Sequence, residues 1–588
     1  MVTFDIVSRI VVLEHIMSGI RKFLVFFVLI LIIGSISFGG ASAQDDTVFR
    51  VIEPGAYRAA AMLATPSERA GHVADLLWLP LVGSDPDAQP VPTGLAESWE
   101  VAADNMSVVF TLRQDAKFSD GSSITAVDAA WSINYQIMSG HPDIYGQHDF
   151  FPARREYATI VGAQEVFDGG IPADEFSAAN VAGIIVVDDY TLRIEFAQPT
   201  LFMLNNLQFA RIAKAESVMA GAGKNYAEDA YWTTEPGAVF SGPFMLESFR
   251  SGSGMTLVPN PYWFGGEPGV SRVESIFVQD LSSGIAAFEN GEAEVVDFSM
   301  TPIDVANLAS SEYLQSSLVS YPSLSVVQLF VTPFRPMDDV HVRRAISMAI
   351  DRQALTNVLG GGEGQTTYQV ISGHFAPANV NCADQFASVV GMPYDPAAAQ
   401  AELALSPYAA DIATMPLNMQ LGMFGMPLSQ DLIIAQVVQA MLQQNLGITV
   451  NIQSSPIADF NAPPYPTHMW PNEQGNHFID QMAYMNNLAA LNSADPLPDE
   501  AQMGMVTMPR VPELLDLMAQ AATATDITSR CEILAQAQQA WVDQVYTIDL
   551  FTFDSSMLIA PYVEGEVINN FGGSLSFRET LEELSYSR

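Results

Sequence analysis

The sequence predicts an α/β protein of two or three domains. Strand-like and helix-like runs alternate along the 588 residues, a pattern typical of the α/β class. The chain is too long for one hydrophobic core, because single cores stop growing at roughly 250–300 residues. Hydrophobic residues make up 49% and charged residues 15% of the chain, which indicates folded domains rather than disorder.

A strand, a tight turn and a helix are predicted early in the chain. Residues 108–112 are a short run of β-branched and aromatic residues, which favours a strand. Asp120 and Gly121 mark a turn, because Gly tolerates positive φ and Asp hydrogen-bonds nearby backbone. Thr125-x-x-Asp128 has the pattern of a capping box, so a helix is expected to begin there.

The remaining elements alternate in the same way. Further strands are predicted over residues 47–52, 183–187, 191–196, 255–258, 273–278, 294–298 and 448–452. Helices are predicted over residues 71–79, 282–289, 431–446, 513–518 and 527–545, with another beginning after the acidic residues 338–339. The Pro- and Gly-rich stretches at residues 360–396 and 455–476 are expected to be long surface loops.

The charge balance argues against polyanionic partners. Acidic residues outnumber basic residues 66 to 24, which gives a formal net charge of −42. Such a field repels the phosphates of nucleic acids and of anionic lipids. We therefore predict no nucleic-acid partner and interpret the charge as a solvated acidic surface.

The first 43 residues have the pattern of a secretory signal peptide. Arg21 and Lys22 precede the 11 apolar residues 23–33, and small residues follow, ending in Ala-Ser-Ala at 41–43. The apolar run is shorter than the roughly 20 residues of a membrane-spanning helix. We expect export to a bacterial periplasm and a mature chain beginning near Gln44, with Met17 as an alternative start.

No catalytic, nucleotide-binding or metal-binding motif is found. The patterns HExxH, GxSxG, GxxxxGK[ST] and a GxGxxG after a strand are all absent. His468 and His477 lack a Cys or carboxylate at ligand spacing, so they are interpreted as surface or structural residues. Cys382 and Cys531 are too few for a structural zinc site, and an oxidising compartment permits a disulfide between them. We predict a protein that is not an enzyme and holds no cofactor or metal.

Several sequence blocks occur in a familiar order. The first, residues 94–133, contains Leu-Ala-Glu-Ser-Trp, a strand ending Phe-Thr-Leu-Arg, and then Lys-Phe, Asp-Gly and Ile-Thr-Ala. The later blocks are Ser-Gly-Pro-Phe at 241–244, Asn-Pro-Tyr-Trp at 260–263, Ala-Ala-Phe with Gly-Glu at 286–292, and Asp-Val-His-Val-Arg-Arg-Ala with Ala-Ile-Asp-Arg at 339–352. Together they resemble the family 5 extracellular solute-binding proteins, the peptide-, nickel- and oligosaccharide-binding components of ABC importers. The chain departs from the family pattern in two places. Ser119 stands where His is frequent in the family, and the Asn-Pro-Tyr-Trp block at 260–263 lacks one residue that the family pattern has between Pro and Tyr.

The resemblance implies a two-lobed clamshell with an extra subdomain and mixed sheets flanked by helices. Lobe I would comprise residues 44–83, 204–302 and 549–588, and its inserted subdomain residues 84–203. Lobe II would comprise residues 303–548. Ligand would be captured by hinge closure between the lobes, and the protein, a monomer, would then dock on membrane permease subunits that an ATPase powers.

The resemblance also suggests where the ligand binds. In peptide-binding relatives a lobe II strand carries an Asp that holds the α-ammonium of the peptide, and the matching segment here begins at residue 478. Tyr484 stands where these relatives have Trp, Asn487 stands where the anchoring Asp is expected, and Asp495 follows in a longer loop. A hydrogen bond to a charged group is worth about 1.5–3 kcal/mol against about 1 kcal/mol for a neutral one, so Asp495 is an alternative anchor. Asn486 and Trp470 complete the candidate ligand-binding set.

The ligand class stays open at this point. Aromatic rings beside amide groups suit peptide side chains, and they equally suit an oligosaccharide or another small solute. Nickel is the least favoured ligand of the family, because no pair of His stands at chelating spacing. A secreted hydrolase, and a chemoreceptor or chaperone-like accessory built on the same clamshell, are the alternatives of other classes.

Overall fold

A computed structural model describes the larger part of the chain. The described residues are 47–54, 71–86, 89–141, 157–170, 181–221, 237–250, 252–308, 311–332, 334–360, 368–370, 382–421, 430–454, 467–474, 511–564 and 585–586. The predicted leader, residues 1–43, lies outside them. All elements below belong to one compact unit, Val48–Arg588.

Strands and helices alternate as predicted. The strands are β1 Val48–Pro54, β2 Gly83–Ser84, β3 Pro90–Val91, β4 Ala96–Val101, β5 Ser107–Leu112, β6 Ile184–Asp188, β7 Thr191–Glu195, β8 Phe244–Arg250, β9 Gly254–Pro259, β10 Arg272–Val278, β11 Val295–Met300, β12 Leu318–Val331, β13 Tyr368–Val370, β14 Leu417–Leu421, β15 Val450–Ser454, β16 Met469–Gln474, β17 Thr547–Ile559, β18 Val563–Glu564 and β19 Ser585–Tyr586. The helices are α1 Gly71–Leu77, α2 Ala126–Met138, α3 Ala163–Phe167, α4 Met203–Leu207, α5 Ala215–Gly221, α6 Leu281–Glu289, α7 Pro302–Asn307, α8 Glu312–Ser317, α9 Val340–Ala349, α10 Arg352–Val358, α11 Ala383–Phe386, α12 Pro396–Leu403, α13 Asp431–Leu446, α14 Pro512–Ala522 and α15 Ile527–Gln544.

The main sheet is mixed, as the predicted fold class requires. Its strand order is β15-β14-β16-β12-β17-β11-β1-β10-β9-β8, with β13 added on β17. β1 runs parallel to β10, whereas β12 runs antiparallel to β17. Helices follow most of these strands in the chain, which places the protein in the α/β class.

A separate antiparallel sheet contains the early strand, turn and helix. Its order is β4-β5-β7-β6, and β6 with β7 forms the predicted hairpin. Helix α2, which follows β5 in the chain, begins with the predicted capping box. The Oδ2 atom of Asp128 accepts hydrogen bonds from the backbone N–H of Thr125 at 2.8 Å and from its hydroxyl at 2.9 Å. This reciprocal cap satisfies amide groups that the first turn of a helix leaves unpaired.

The buried hydrophobic residues form two separate cores. The first core draws on residues from Phe49 to Tyr321 and again from Met557 to Val563. The second core draws on residues from Val326 to Phe553. The chain therefore passes between the cores twice, along β12 and along β17. The domain boundaries given above, including the inserted subdomain at 84–203, stay a prediction.

A disulfide fixes part of the second core. Cys382 and Cys531 are bonded, with their Cα atoms 5.1 Å apart and a sequence separation of 149 residues. The bond joins the start of α11 to the first turn of α15. The sequence permitted this pairing but left it open, because only the fold brings such distant residues together.

The prediction of surface loops is wrong in two places. Residues 469–474 form β16, which pairs with β12 along its whole length and with β14 only at Met469. Pro471 suggested a loop because Pro cannot donate a ladder hydrogen bond, but a strand with few partners on one side tolerates it. Residues 368–370 and 383–386, within the other predicted loop, form β13 and α11.

Candidate functional site

Four of the five residues predicted to bind ligand lie outside the described residues. They are Tyr484, Asn486, Asn487 and Asp495, all within residues 475–510. This segment follows β16 directly in the chain. The contacts that hold β16 in the sheet therefore fix the point in the fold from which residues 475–510 start.

Trp470, the fifth predicted residue, lies on β16 in the second core. Its side chain is 7% exposed, and its ring stacks on that of Phe330, with centroids 5.3 Å apart and planes at 7°. Phe330 is its register partner on β12. Packing thus accounts for most of the indole surface, and the contact of Trp470 with ligand stays a prediction.

His468 attaches the beginning of β16 to its neighbours. Its Nδ1 atom accepts a hydrogen bond of 2.9 Å from the backbone N–H of Asn418 on β14, and its Nε2 atom lies 3.2 Å from the carbonyl oxygen of Arg335. Because Nδ1 accepts, Nε2 carries the proton and donates. Burial lowers the pKa of His468, since the charged imidazolium loses hydration there. His468 is a structural residue, as expected when no metal ligands stand at suitable spacing.

The two strands that join the cores are irregular where they cross. The pairing of β12 with β17 shifts between Pro322 and Val326, and the residues of β17 opposite this shift are Thr552 to Asp554. Thr552 and Asp554 are partly exposed, whereas Phe553 between them is 3% exposed. Burial raises the pKa of Asp554. A carboxyl group is thus held at the junction of the two cores, a feature that sequence reasoning missed because Asp554 belongs to none of the family blocks.

Two blocks of the family resemblance contact a third. Asn260 donates from Nδ2 to the carbonyl oxygen of Gly242 at 2.9 Å, and its Oδ1 atom accepts from the backbone N–H of Tyr262 at 3.0 Å. The ring of Tyr262 packs over the β-turn at Gly121. There φ is +85°, and a Cβ atom on residue 121 would lie 3.0 Å from the tyrosine ring. A side chain at Gly121 would be strained and crowded. These blocks therefore stabilise the first core.

The last family block fastens helix α9 to the end of helix α15, and helix α10 to strand β17, in the second core. Arg343 donates from Nε and Nη2 to the carbonyl oxygen of Gln544 at 2.9 and 2.8 Å. Arg352 donates from Nε to the carbonyl oxygen of Asp549 at 2.7 Å. Burial lowers the pKa of both guanidinium groups to about 10, and both remain charged at neutral pH. Their role is structural, because their donors are used by backbone carbonyls.

The described part of the chain offers neither a metal centre nor a membrane span. No group of three or more His, Cys, Asp or Glu among these residues could hold a metal ion. None of the described helices is both long and apolar enough to cross a membrane.

A family comparison decides what this architecture is for. Residues 90–494, more than half of the chain, match the family model of the bacterial extracellular solute-binding proteins, family 5. The chain belongs to this family. It is therefore a solute-binding protein and not an enzyme, and the alternative of a secreted hydrolase is set aside.

The relatives of this binding protein show how far the likeness extends. The periplasmic murein peptide-binding protein MppA of Escherichia coli is 24% identical over 86% of each chain. The structure of Haemophilus influenzae OppA in complex with the peptide RPPGFSPFR superposes with a TM-score of 0.71 at 19% identity, covering 93% of this chain and all of the other. These likenesses confirm the clamshell fold of the periplasmic binding proteins.

The fold by itself does not select the ligand. The structure of NikZ from Campylobacter jejuni in complex with Ni(L-His) superposes with a TM-score of 0.70 at 14% identity, covering 92% of this chain and 99% of the other. A peptide complex and a nickel complex thus fit this solute-binding protein almost equally well. The ligand must be argued from the residues of the site.

Proposed function

We propose that this protein is the periplasmic component of an ABC importer that captures peptides and delivers them, as a monomer, to permease subunits powered by an ATPase. The observation that carries the proposal is the family membership together with the run of peptide-binding relatives, such as MppA and the OppA proteins. The predicted leader at residues 1–43 would direct export.

Capture depends on the two strands that join the cores. β12 and β17 cross from one core to the other side by side, and their register shifts at the crossing. A pair of strands with an irregular ladder can bend there while each core keeps its packing. A ligand that contacts both cores stabilises the closed arrangement by the difference between its affinities for the closed and open forms.

We place the peptide against the segment that follows β16. Asn487, which takes the position of the anchoring Asp of peptide-binding relatives, accepts a hydrogen bond from an ammonium but brings no charge. Asp495 supplies the charge on this proposal, and Tyr484, Asn486 and Trp470 line the pocket. A charge-assisted hydrogen bond of this kind is roughly twice as strong as a neutral one.

An oligosaccharide is the second candidate ligand. The same segment and its approach contain many amides and aromatic rings, namely Tyr465, Trp470, Asn472, Gln474, Asn476, Tyr484, Asn486 and Asn487. Flat rings beside amide groups also suit the C–H faces and hydroxyl edges of sugars. The loss of the acidic anchor at Asn487 favours this alternative.

Native mass spectrometry of the mature protein, residues 44–588, tests the proposal directly. The protein would be purified from an export-competent host, and its native and denatured masses compared to identify what is released. Released peptides of mixed sequence are the expected result. A released sugar, or thermal stabilisation by oligosaccharides and not by peptides, would contradict the peptide proposal while leaving the solute-binding role intact.

The intact mass and an uptake assay test the rest of the proposal. A mature mass that begins at Gln44 would support the predicted leader. Peptide uptake that is lost on deletion of the gene and restored by the exported protein would support transport. Binding without any effect on uptake would instead favour a chemoreceptor or an accessory protein.

A further inference from the structure

One side-chain contact between the two cores is made by residues that belong to neither of the crossing strands β12 and β17. The guanidinium carbon of Arg530 lies 5.2 Å from the ring centroid of Phe202. Arg530 lies in the first turn of α15, whose Cys531 and Leu534 belong to the second core. Phe202 directly precedes α4, whose Met203 and Leu207 belong to the first core.

The chemistry of this pair is that of a desolvated cation over an aromatic face. Arg530 is only 8% exposed, so its guanidinium has given up most of its water. Its Nε atom donates to the carbonyl oxygen of Ala521 at 3.2 Å, which holds the group at the end of α14. A cation within about 6 Å of a ring centroid is attracted by the ring quadrupole, and more strongly when it is desolvated.

Two other cation–π contacts of the described residues each lie within a single core. Arg113 lies 3.4 Å from the ring centroid of Phe264, with both residues in the part of the chain that builds the first core. Arg335 lies 4.6 Å from the ring centroid of Tyr408, with both residues in the part that builds the second core. Such contacts are kept whatever the arrangement of the cores. The contact of Arg530 with Phe202 exists only while the two cores are close together.

We propose that Arg530 and Phe202 form a latch that favours the closed arrangement of the two cores. Opening about the crossing strands separates the ring from the guanidinium and returns both to water. The disulfide at the neighbouring Cys531 fixes the helix turn that presents Arg530. The latch rests on the proposed hinge closure and does not depend on whether the ligand is a peptide or a sugar.

Single-molecule fluorescence energy transfer tests the latch on the whole mature protein. Dyes would be placed through non-natural amino acids at Glu100 and Leu405, two exposed positions outside the contact. The ratio of closed to open molecules would be measured without ligand and with trialanine as a probe. Phe202→Leu keeps an apolar side chain but removes the ring, and it should lower this ratio about three- to tenfold.

Matched variants make the result specific. Arg530→Gln should lower the ratio by a similar factor, and the double variant should lower it no further than either single variant. Phe202→Trp should preserve the ratio, and Phe264→Leu, which removes a cation–π contact within the first core, should leave it unchanged. An unchanged ratio in Phe202→Leu, or additive effects in the double variant, would overturn the latch. A single population of wild-type molecules under all conditions would overturn the hinge proposal together with the latch. Two wild-type populations whose ratio Phe202→Leu leaves unchanged would overturn the latch alone.

Discussion

Arg352 donates a hydrogen bond of 2.7 Å to the backbone carbonyl of Asp549, and the side chains of both residues are enclosed in the second core. The two charged groups are not paired through the Asp549 carboxylate. The carboxylate instead accepts a hydrogen bond from the Thr547 hydroxyl at 3.0 Å. Burial raises the pKa of Asp549 to about 6, with Thr547 and Arg352 only partly opposing that effect.

Replacing Asp549 by Asn should stabilise the protein at neutral pH. The pKa of Asp549 is about 6 in the folded protein, against an ordinary value of 3.8, so the folded state binds this proton more tightly than the unfolded state. The contribution of Asp549 to the free energy of unfolding therefore falls as pH rises from about 4 to about 6. At pH 7 Asp549→Asn should raise that free energy by about 1–3 kcal/mol. Urea denaturation from pH 4 to 8 measures this.

The exposed residue Asp516 on α14 provides the control for that change. Asp516→Asn, a change at an exposed position, should alter the free energy of unfolding at pH 7 by less than about 0.5 kcal/mol. A uniform loss of stability at all pH values in Asp549→Asn would mean that the hydrogen bond from Thr547 outweighs the cost of burying the charge.

Replacing Arg352 by Lys should destabilise the protein strongly. Arg352 donates a hydrogen bond from Nε to the carbonyl oxygen of Asp549. It also donates from Nη1 to the carbonyl oxygen of Ser347 at 3.0 Å. A Lys ammonium cannot reproduce this planar fork, so buried carbonyl groups would lose their donors. We expect a loss of about 3–5 kcal/mol in the free energy of unfolding, measured by chemical denaturation. Arg344→Lys, in the preceding helix α9 and partly exposed, should cost less than about 1 kcal/mol, and an equal cost at both positions would contradict this account.

Removing the disulfide should lower stability without abolishing the fold. The bond between Cys382 and Cys531 closes a loop with a sequence separation of 149 residues, which restricts the unfolded chain. A double Cys→Ser variant should lose about 2–5 kcal/mol in the free energy of unfolding. Dithiothreitol should reduce the wild type to a similar stability and leave the double variant unaffected. Equal denaturation midpoints for the wild type and the double variant would mean that the bond does not constrain the unfolded chain.

Variants of the proposed ligand segment should weaken binding without unfolding the protein. Asp495→Ala and Tyr484→Ala should each raise the dissociation constant of the peptide found by mass spectrometry about 10- to 100-fold, as expected for the loss of a hydrogen bond to a charged group or of a ring contact. Asn487→Asp should strengthen binding, because it restores a charge beside the ammonium. Isothermal titration calorimetry measures each change.

Exposed residues of the same types provide the controls for these variants. Asp516→Ala and Tyr394→Ala should bind as the wild type does. Unchanged affinity in both Asp495→Ala and Tyr484→Ala would remove these residues from the site. A weaker affinity in Asn487→Asp would argue against an ammonium at that position.

Local structure followed closely from the sequence. The capping box of Thr125 and Asp128, the hairpin of β6 and β7, and the helix that begins after Asp339 all depend on neighbouring residues, so short patterns suffice to predict them. The ordered blocks likewise identified the family, and in this structure side chains of those blocks, such as Asn260 and Arg343, hold specific backbone carbonyl groups.

Tertiary structure decided what depends on residues far apart in the chain. The bond between Cys382 and Cys531, the strand β16 in a Pro-rich stretch, and the contact of Arg530 with Phe202 each need partners from other elements. The burial that shifts the pKa of Asp549 is also a property of the packed core, since desolvation requires neighbours from several segments. The sequence by itself therefore determined the fold class and the binding role of this protein, whereas long-range packing determined which charged groups are buried and which contacts join the two cores.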